Sequence, residues 1–113
     1  MPTLGGQTLA LWRATALLAQ RQARACADEA GRVATANGPG GAEVAWRAAA
    51  LDALASDQLG DTARAADAAA RASSALDRLK GHWGAERMRA YETRRDIAAL
   101  LAGLRTIGQP AGT

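Results

Sequence analysis

The sequence predicts an all-α, Ala-rich fold, either an antiparallel helical hairpin or a three- to four-helix up-and-down bundle. Alanine, which has the highest intrinsic helix propensity, supplies 31 of the 113 residues. Leu, Ile and Val together number only 17, and no run alternates apolar and polar residues with period two, which excludes a sheet protein. The net charge of +3 is too small for the disorder that so low an apolar content would otherwise indicate. The length suits one helical domain over 1–113.

The first helical segment and the main turn are the clearest parts of this organisation. Residues 37–41 form the main turn, because four of the five are Gly or Pro. Helical periodicity over 8–36 predicts one helix about 43 Å long before that turn, and Arg24 and Asp28 are spaced on it as an i,i+4 ion pair. The two ends, 1–6 and 108–113, are predicted to be flexible.

Weaker breaks divide the second half of the chain. Gly60 is suited to the position after a helix C-terminus, and Asp61 is suited to cap the next helix. Because a single Gly costs a helix only about 1 kcal/mol relative to Ala, the segment 42–80 is compatible with either one helix or two. A second break of similar strength lies at 81–84, before a last helical segment over 85–106.

The apolar content predicts a thin core and a partner. Only 24 residues are apolar and larger than Ala, whereas each ordered residue costs roughly 1–2 kcal/mol of backbone entropy. We therefore expect a homo-oligomer or a hetero-complex formed through helix faces. Trp12, Trp46 and Trp83 either fill gaps between Ala-rich helices or anchor a partner. The candidate partner contacts form two alternative sets, either of which could face outward: Trp46, Leu51 and Leu54, or Ile97, Leu101 and Leu104.

A cluster of cations in the last third of the chain forms a candidate basic patch. Trp83 and Tyr91 are interleaved with these cations, and Arg beside an aromatic ring suits phosphate contacts and base stacking. A small basic nucleic-acid-associated protein is therefore an alternative function. The patch consists of Arg78, Lys80, Arg87, Arg89, Arg94 and Arg95.

Residues able to carry catalysis are few. His82 is the single histidine and lies between Gly81 and Trp83 in an expected turn, while Cys26 lies in an apolar helical stripe. One Cys and one His do not complete a structural zinc site, and no phosphate-binding glycine loop is present. We therefore predict a non-enzymatic protein with no catalytic residues, no cofactor and no metal.

Targeting signals do not stand out in the sequence. No charged region precedes the apolar stretch at the beginning of the chain, and Arg13 interrupts that stretch, so a signal peptide is not expected. No uncharged apolar window is long enough to span a membrane, so membrane insertion is not expected either. The predicted location is the cytoplasm, and export by a leaderless route would leave no mark in the sequence.

Two parts of the chain carry a family resemblance. The first is the segment 17–24, rich in Gln and Arg; the second comprises 75–79, Glu86-Arg87 and 91–95. Together they resemble the small coiled-coil export proteins of type III secretion and flagella, the FliJ/YscO-like family. The resemblance implies an antiparallel helical hairpin, similar to a rotary-ATPase stalk, that acts with the export ATPase. It suggests a protein–protein interaction component of a bacterial assembly, such as an accessory or stalk protein of an export apparatus.

The length, the Ala and Gly content and the Gly-rich turn at 37–41 carry a second family resemblance. They are similar to those of the WXG-type helical hairpins exported by type VII secretion. Trp46 is followed by Arg47-Ala48, so the Trp-x-Gly motif itself is absent. A small WXG-type hairpin is therefore a second alternative.

Overall fold

The computed structural model describes residues 4–35 and 42–107, and within these ranges every regular element is a helix. The all-α prediction is confirmed. The radius of gyration of 13.4 Å and the extents of 36 × 35 × 22 Å are those of a compact domain of this length. The predicted main turn at 37–41 and the end at 108–113 lie outside the described residues. The helices are α1 (Leu4–Ala19), α2 (Ala23–Thr35), α3 (Ala42–Gln58), α4 (Thr62–Trp83), α5 (Ala85–Glu92) and α6 (Arg95–Ile107).

The helix expected over 8–36 is two helices, joined by a tight turn at Gln20–Gln22. Arg21 has a φ of 60°, in the left-handed region. Its N–H donates to Leu18 O at 3.0 Å, and the Gln22 N–H donates to Leu17 O at 2.8 Å. These two bonds define a Schellman motif, which satisfies carbonyl groups at the end of α1. The sequence gives little sign of this break, because such a position is usually occupied by Gly.

The turn between α3 and α4 confirms the expected break at Gly60. Gly60 has a φ of 79°, and its N–H donates to Asp57 O at 3.0 Å. The Asp61 N–H donates to Ser56 O at 3.0 Å, which completes a second Schellman motif. The Asp61 carboxylate then accepts from the Arg64 N–H at 3.1 Å and caps α4. The segment 42–80 is therefore two helices.

The third break lies at the end of the predicted 81–84 segment. Gly84 has a φ of 82° and separates α4 from α5, whereas Gly81 lies within α4. A further turn around Thr93 divides the expected helix over 85–106 into α5 and α6; there the Thr93 N–H donates to Ala90 O at 3.3 Å.

Helix α3 is the centre of the domain, and α1, α2, α4 and α6 all pack against it. Alanines on several of its faces are fully buried, including Ala48, Ala50 and Ala53. Most residues of α3 are buried, on several faces of the helix, as expected for a helix in a protein interior. Helix α6 passes so close to α3 that a Cβ added at Gly103 would lie 2.6 Å from Leu54 Cδ2. Small side chains thus allow short helices to enclose the central one.

The expectation that the candidate partner contacts face outward is wrong for three of the six residues. Trp46 and Ile97 are 0 % exposed and Leu51 is 2 % exposed, because the helices around α3 cover the faces that a hairpin would leave free. The other three are half-buried: Leu101 and Leu104 pack against the core, and Leu54 contacts α6 at the Gly103 position.

The exposed tryptophan is instead Trp12, at 69 %. The break at Gln20–Gln22 changes the face that α1 turns inward, so that Leu11 and Ala14 are the buried residues there. Trp46 fills the core, which is one of the two roles expected for the tryptophans, and Trp83 is half-buried. None of the described helices has both the length and the apolar composition needed to cross a membrane.

Candidate functional site

Four side chains at the end of α4, along α5 and in the turn that follows α5 form what we call the Arg–aromatic surface: Trp83, Arg87, Tyr91 and Arg94. The Arg87 guanidinium carbon lies 4.4 Å from the centre of the Trp83 ring. The Trp83 and Tyr91 rings meet edge to face, with their centres 4.9 Å apart. The Arg94 guanidinium carbon lies 5.7 Å from the centre of the Tyr91 ring. Two exposed cations are therefore held over an aromatic pair.

The aromatic pair is anchored in the core through Tyr91. The Tyr91 hydroxyl donates to the Glu43 carboxylate and accepts from Trp46 Nε1 at 3.0 Å. Burial, followed by the hydrogen bond to Glu43 and its charge, raises the pKa of Tyr91 above its usual range. The neutral phenol is the stable form, and the ring on which Arg94 lies is fixed to α3. This anchoring limits the conformational freedom of the surface before any ligand binds.

The other members of the predicted basic patch do not form one continuous field. Lys80 lies 4.0 Å from Glu92, and both line a shallow depression together with Arg89. Arg94 donates to Asp96 at 3.0 Å. Although burial alone would raise the pKa of Asp96, the hydrogen bond and charge of Arg94 lower it.

Arg78 and Arg95, the remaining members, are both exposed. Arg78 lines a separate groove between α3 and α4, which it shares with Arg71. The structure thus brings Arg87 and Arg94 to one aromatic pair and leaves Arg78 on another face.

A buried ion-pair cluster centred on Asp52 was not anticipated from the sequence. Asp52 is 2 % exposed; its carboxylate accepts from Arg64 Nε at 3.0 Å and from Ser56 Oγ at 3.1 Å. Arg71 lies 3.6 Å from its second oxygen, and Arg64 also donates to Ala27 O at 3.2 Å. The cluster ties α2, α3 and α4 together. An acid among the alanines of a helix with no polar face is the signal that could have revealed it.

Neither of the two side chains considered for catalysis is among the four that form the Arg–aromatic surface. Cys26 is 0 % exposed, and burial, with a smaller effect of Asp52, raises the pKa of its thiol to about 11. A thiol in that state is a poor nucleophile at neutral pH. His82 is exposed in the last turn of α4. Among the described residues, no group of three His, Cys, Asp or Glu side chains is placed to hold a metal ion.

Comparisons of the chain with models of protein families, with curated proteins and with solved structures find no match.

Proposed function

We propose that this chain is a non-enzymatic interaction protein that binds an acidic segment of a partner protein through the Arg–aromatic surface. The observation that carries the proposal is the pair of exposed guanidiniums, Arg87 and Arg94, held over the Trp83 and Tyr91 rings. Arg, Trp and Tyr are the residues that dominate binding energy at protein interfaces. Guanidiniums also bind carboxylates through two parallel hydrogen bonds.

The anchoring of Tyr91 supports the same proposal. Binding costs less conformational entropy when the contact residues already occupy their bound positions. The Tyr91 ring is fixed by Glu43 and Trp46, and Trp83 packs against that ring. Cys26, the single cysteine, is buried and its thiol is poorly ionised, which favours binding over thiol catalysis.

Nucleic-acid binding is the second candidate, favoured by the combination of Arg and Trp side chains on one surface. The charge pattern favours a protein partner. Between Asp77 and Asp96 six cations are interspersed with four acids, and two of the cations, Lys80 and Arg94, are paired with acids. A nucleic-acid backbone is usually bound by a denser cluster of cations with fewer neighbouring acids.

Participation in a bacterial assembly, such as an export apparatus, remains part of the proposal. Its support is the resemblance of 17–24 and 75–79 to the export family, together with a fold made of helices. Co-purification with an export ATPase in the cytoplasmic fraction of the native cell is the outcome that this part predicts.

The test is affinity capture from the native cell, read by mass spectrometry, with the full chain and two variants. The double variant Arg87→Gln/Arg94→Gln removes both charges, and Arg105→Gln removes an exposed charge of α6 as a matched control. We expect an acidic protein to be retained by the wild type and the control but lost by the double variant. Nuclease treatment should not release it. Release by nuclease would favour the nucleic-acid candidate, and equal retention by all three chains would refute both.

A further inference from the structure

A second surface lies at the opposite end of α3 from the Arg–aromatic surface. An open cleft of about 920 Å³ separates the α1–α2 turn from the α3–α4 turn. Arg21 and Arg24 line it on one side, and Gln58 and Leu59 line it on the other. Tyr91 contacts Glu43 and Trp46 at the beginning of α3, whereas Leu59 follows its end, so about 25 Å of helix separates the two surfaces.

Arg21 occupies a backbone conformation that its side chain does not favour. Its φ of 60° is equivalent to that of Gly60 across the cleft, and the two residues occupy the same position of a Schellman motif. A residue with a Cβ is costly there, and glycine is the usual occupant. Non-glycine residues in such conformations cluster at functional sites, where the side chain has a use. The Arg21 side chain lines the cleft.

The charges of the cleft are not neutralised within the described part of the chain. Neither Arg21 nor Arg24 forms an ion pair there, and the pair expected between Arg24 and Asp28 is not formed. Asp28 is the single carboxylate that lines the cleft. Leu59, at 43 % exposure, is one of only two large hydrophobic side chains exposed among the described residues. Free cations thus lie beside an exposed apolar side chain.

We propose that this cleft docks an acidic peptide segment of a partner protein. One or two carboxylates of that segment pair with the guanidiniums of Arg21 and Arg24, and an adjacent apolar side chain packs on Leu59. Charge complementarity selects the occupant, because two unpaired arginines face a cleft that contains one acid. With the Arg–aromatic surface at the other end, the chain would connect two acidic partners, but the cleft binds its peptide independently of that surface.

The test is a titration of the full chain with a fluorescent peptide containing two adjacent glutamates followed by leucine. Arg21→Gly is the decisive variant, because it removes the guanidinium and also relieves the backbone. We expect peptide affinity to fall about tenfold while the melting temperature rises. If the role of Arg21 were purely structural, the peptide affinity would not fall while the melting temperature rises. Arg24→Gln should weaken binding in the same direction, and Arg105→Gln should leave it unchanged.

Three results would overturn the proposal. The first is absence of binding to the wild type, and the second is unchanged affinity in Arg21→Gly. The third is equal or tighter binding of a peptide in which lysines replace the glutamates, or of a single-stranded oligonucleotide. Arg87→Gln/Arg94→Gln serves as a further control, since cleft binding should survive in it. Loss of native partners from that double variant with retained cleft binding would separate the two surfaces experimentally.

Discussion

The α1–α2 turn and the α3–α4 turn have the same pattern of backbone hydrogen bonds, but different residues support them. In the second turn, Gly60 takes the left-handed position, Asp61 caps the next helix, and Arg64 is held by the buried Asp52 carboxylate. In the first turn, Arg21 takes the left-handed position, and the Gln22 side chain donates to Gln20 instead of capping α2.

This difference shows that one turn is specified locally and the other by its surroundings. Gly60 and Asp61 favour their conformations in any context. Arg21 does not, so the packing of α1 and α2 on α3 must hold it in place.

The largest effect is expected at the ion pair behind the α3–α4 turn. Asp52→Ala should lower the free energy of unfolding by about 2–3 kcal/mol, because it leaves Arg64 and Arg71 without their buried partner. Both arginines reach solvent, which keeps the loss below that of a fully buried pair. Glu29→Ala, which removes the pairs that the buried Glu29 carboxylate forms with the exposed Arg13 and Arg32, should cost less, about 1 kcal/mol or below, because both arginines remain solvated. Urea denaturation of both variants measures the difference, and equal losses would contradict it.

A smaller loss is expected when Gly60 acquires a Cβ. Gly60→Ala should destabilise the fold by roughly 1–2 kcal/mol through its positive φ alone, since nothing lies within 4 Å of the added atom. Gly81→Ala is the matched control: its Cβ also meets nothing within 4 Å, but it lies inside α4 and should stabilise the fold by about 0.5–1 kcal/mol. Opposite signs in thermal melts would confirm the backbone origin of the effect.

The corresponding change in the first turn should have the opposite sign to that at Gly60. Arg21→Gly should raise the free energy of unfolding by about 0.5 kcal/mol, because relief of the left-handed strain exceeds the entropy that glycine adds to the unfolded chain. Arg21→Ala keeps the Cβ and should remain within about 0.5 kcal/mol of the wild type. A destabilised Arg21→Gly chain would mean that Arg21 contributes to the fold through contacts of its side chain.

The smallest effect is a difference in local opening. The Gln22 amide, bonded to Leu17 O, should exchange with solvent about tenfold faster than the Asp61 amide, bonded to Ser56 O, after correction for intrinsic rates. The physical reason is that the second turn is held by a cap and a buried ion pair. Amide exchange followed by NMR measures the two directly, and equal protection would indicate that packing alone stabilises both turns.

The parts of the fold that could be predicted are those with a local chemical signal. Gly60 and Asp61 mark their turn, and the buried stripe of α4 follows from helical spacing, as with Ala65, Ala72 and Leu76. Arg21 carries no such signal, so the sequence predicts one helix over 8–36 where the structure has two.

The centre of the domain could not be predicted for a different reason. Alanine lies on every side of α3, so the sequence does not show how many faces of this helix are buried, and nearly all of them are. Trp46 and Leu51 are core residues for that reason. For the candidate site, the sequence identified Arg87, Arg94 and the neighbouring aromatic side chains, but not which guanidinium lies over which ring. The stacking depends on the turn at Gly84, which sets α5 against the end of α4.

The alanine-lined interior also determines how this sequence can diverge over evolutionary time. In an interior where Ala48, Ala53 and Ala72 are 0 % exposed, most substitutions add volume, and overpacking costs about 1–3 kcal/mol each. Replacements that keep the helices at their present separation are restricted to residues of nearly the same size. Ser56 and Cys26, both fully buried, are examples of such residues. Cys26 then needs no chemical role, because a thiol is one of the few groups small enough for its place.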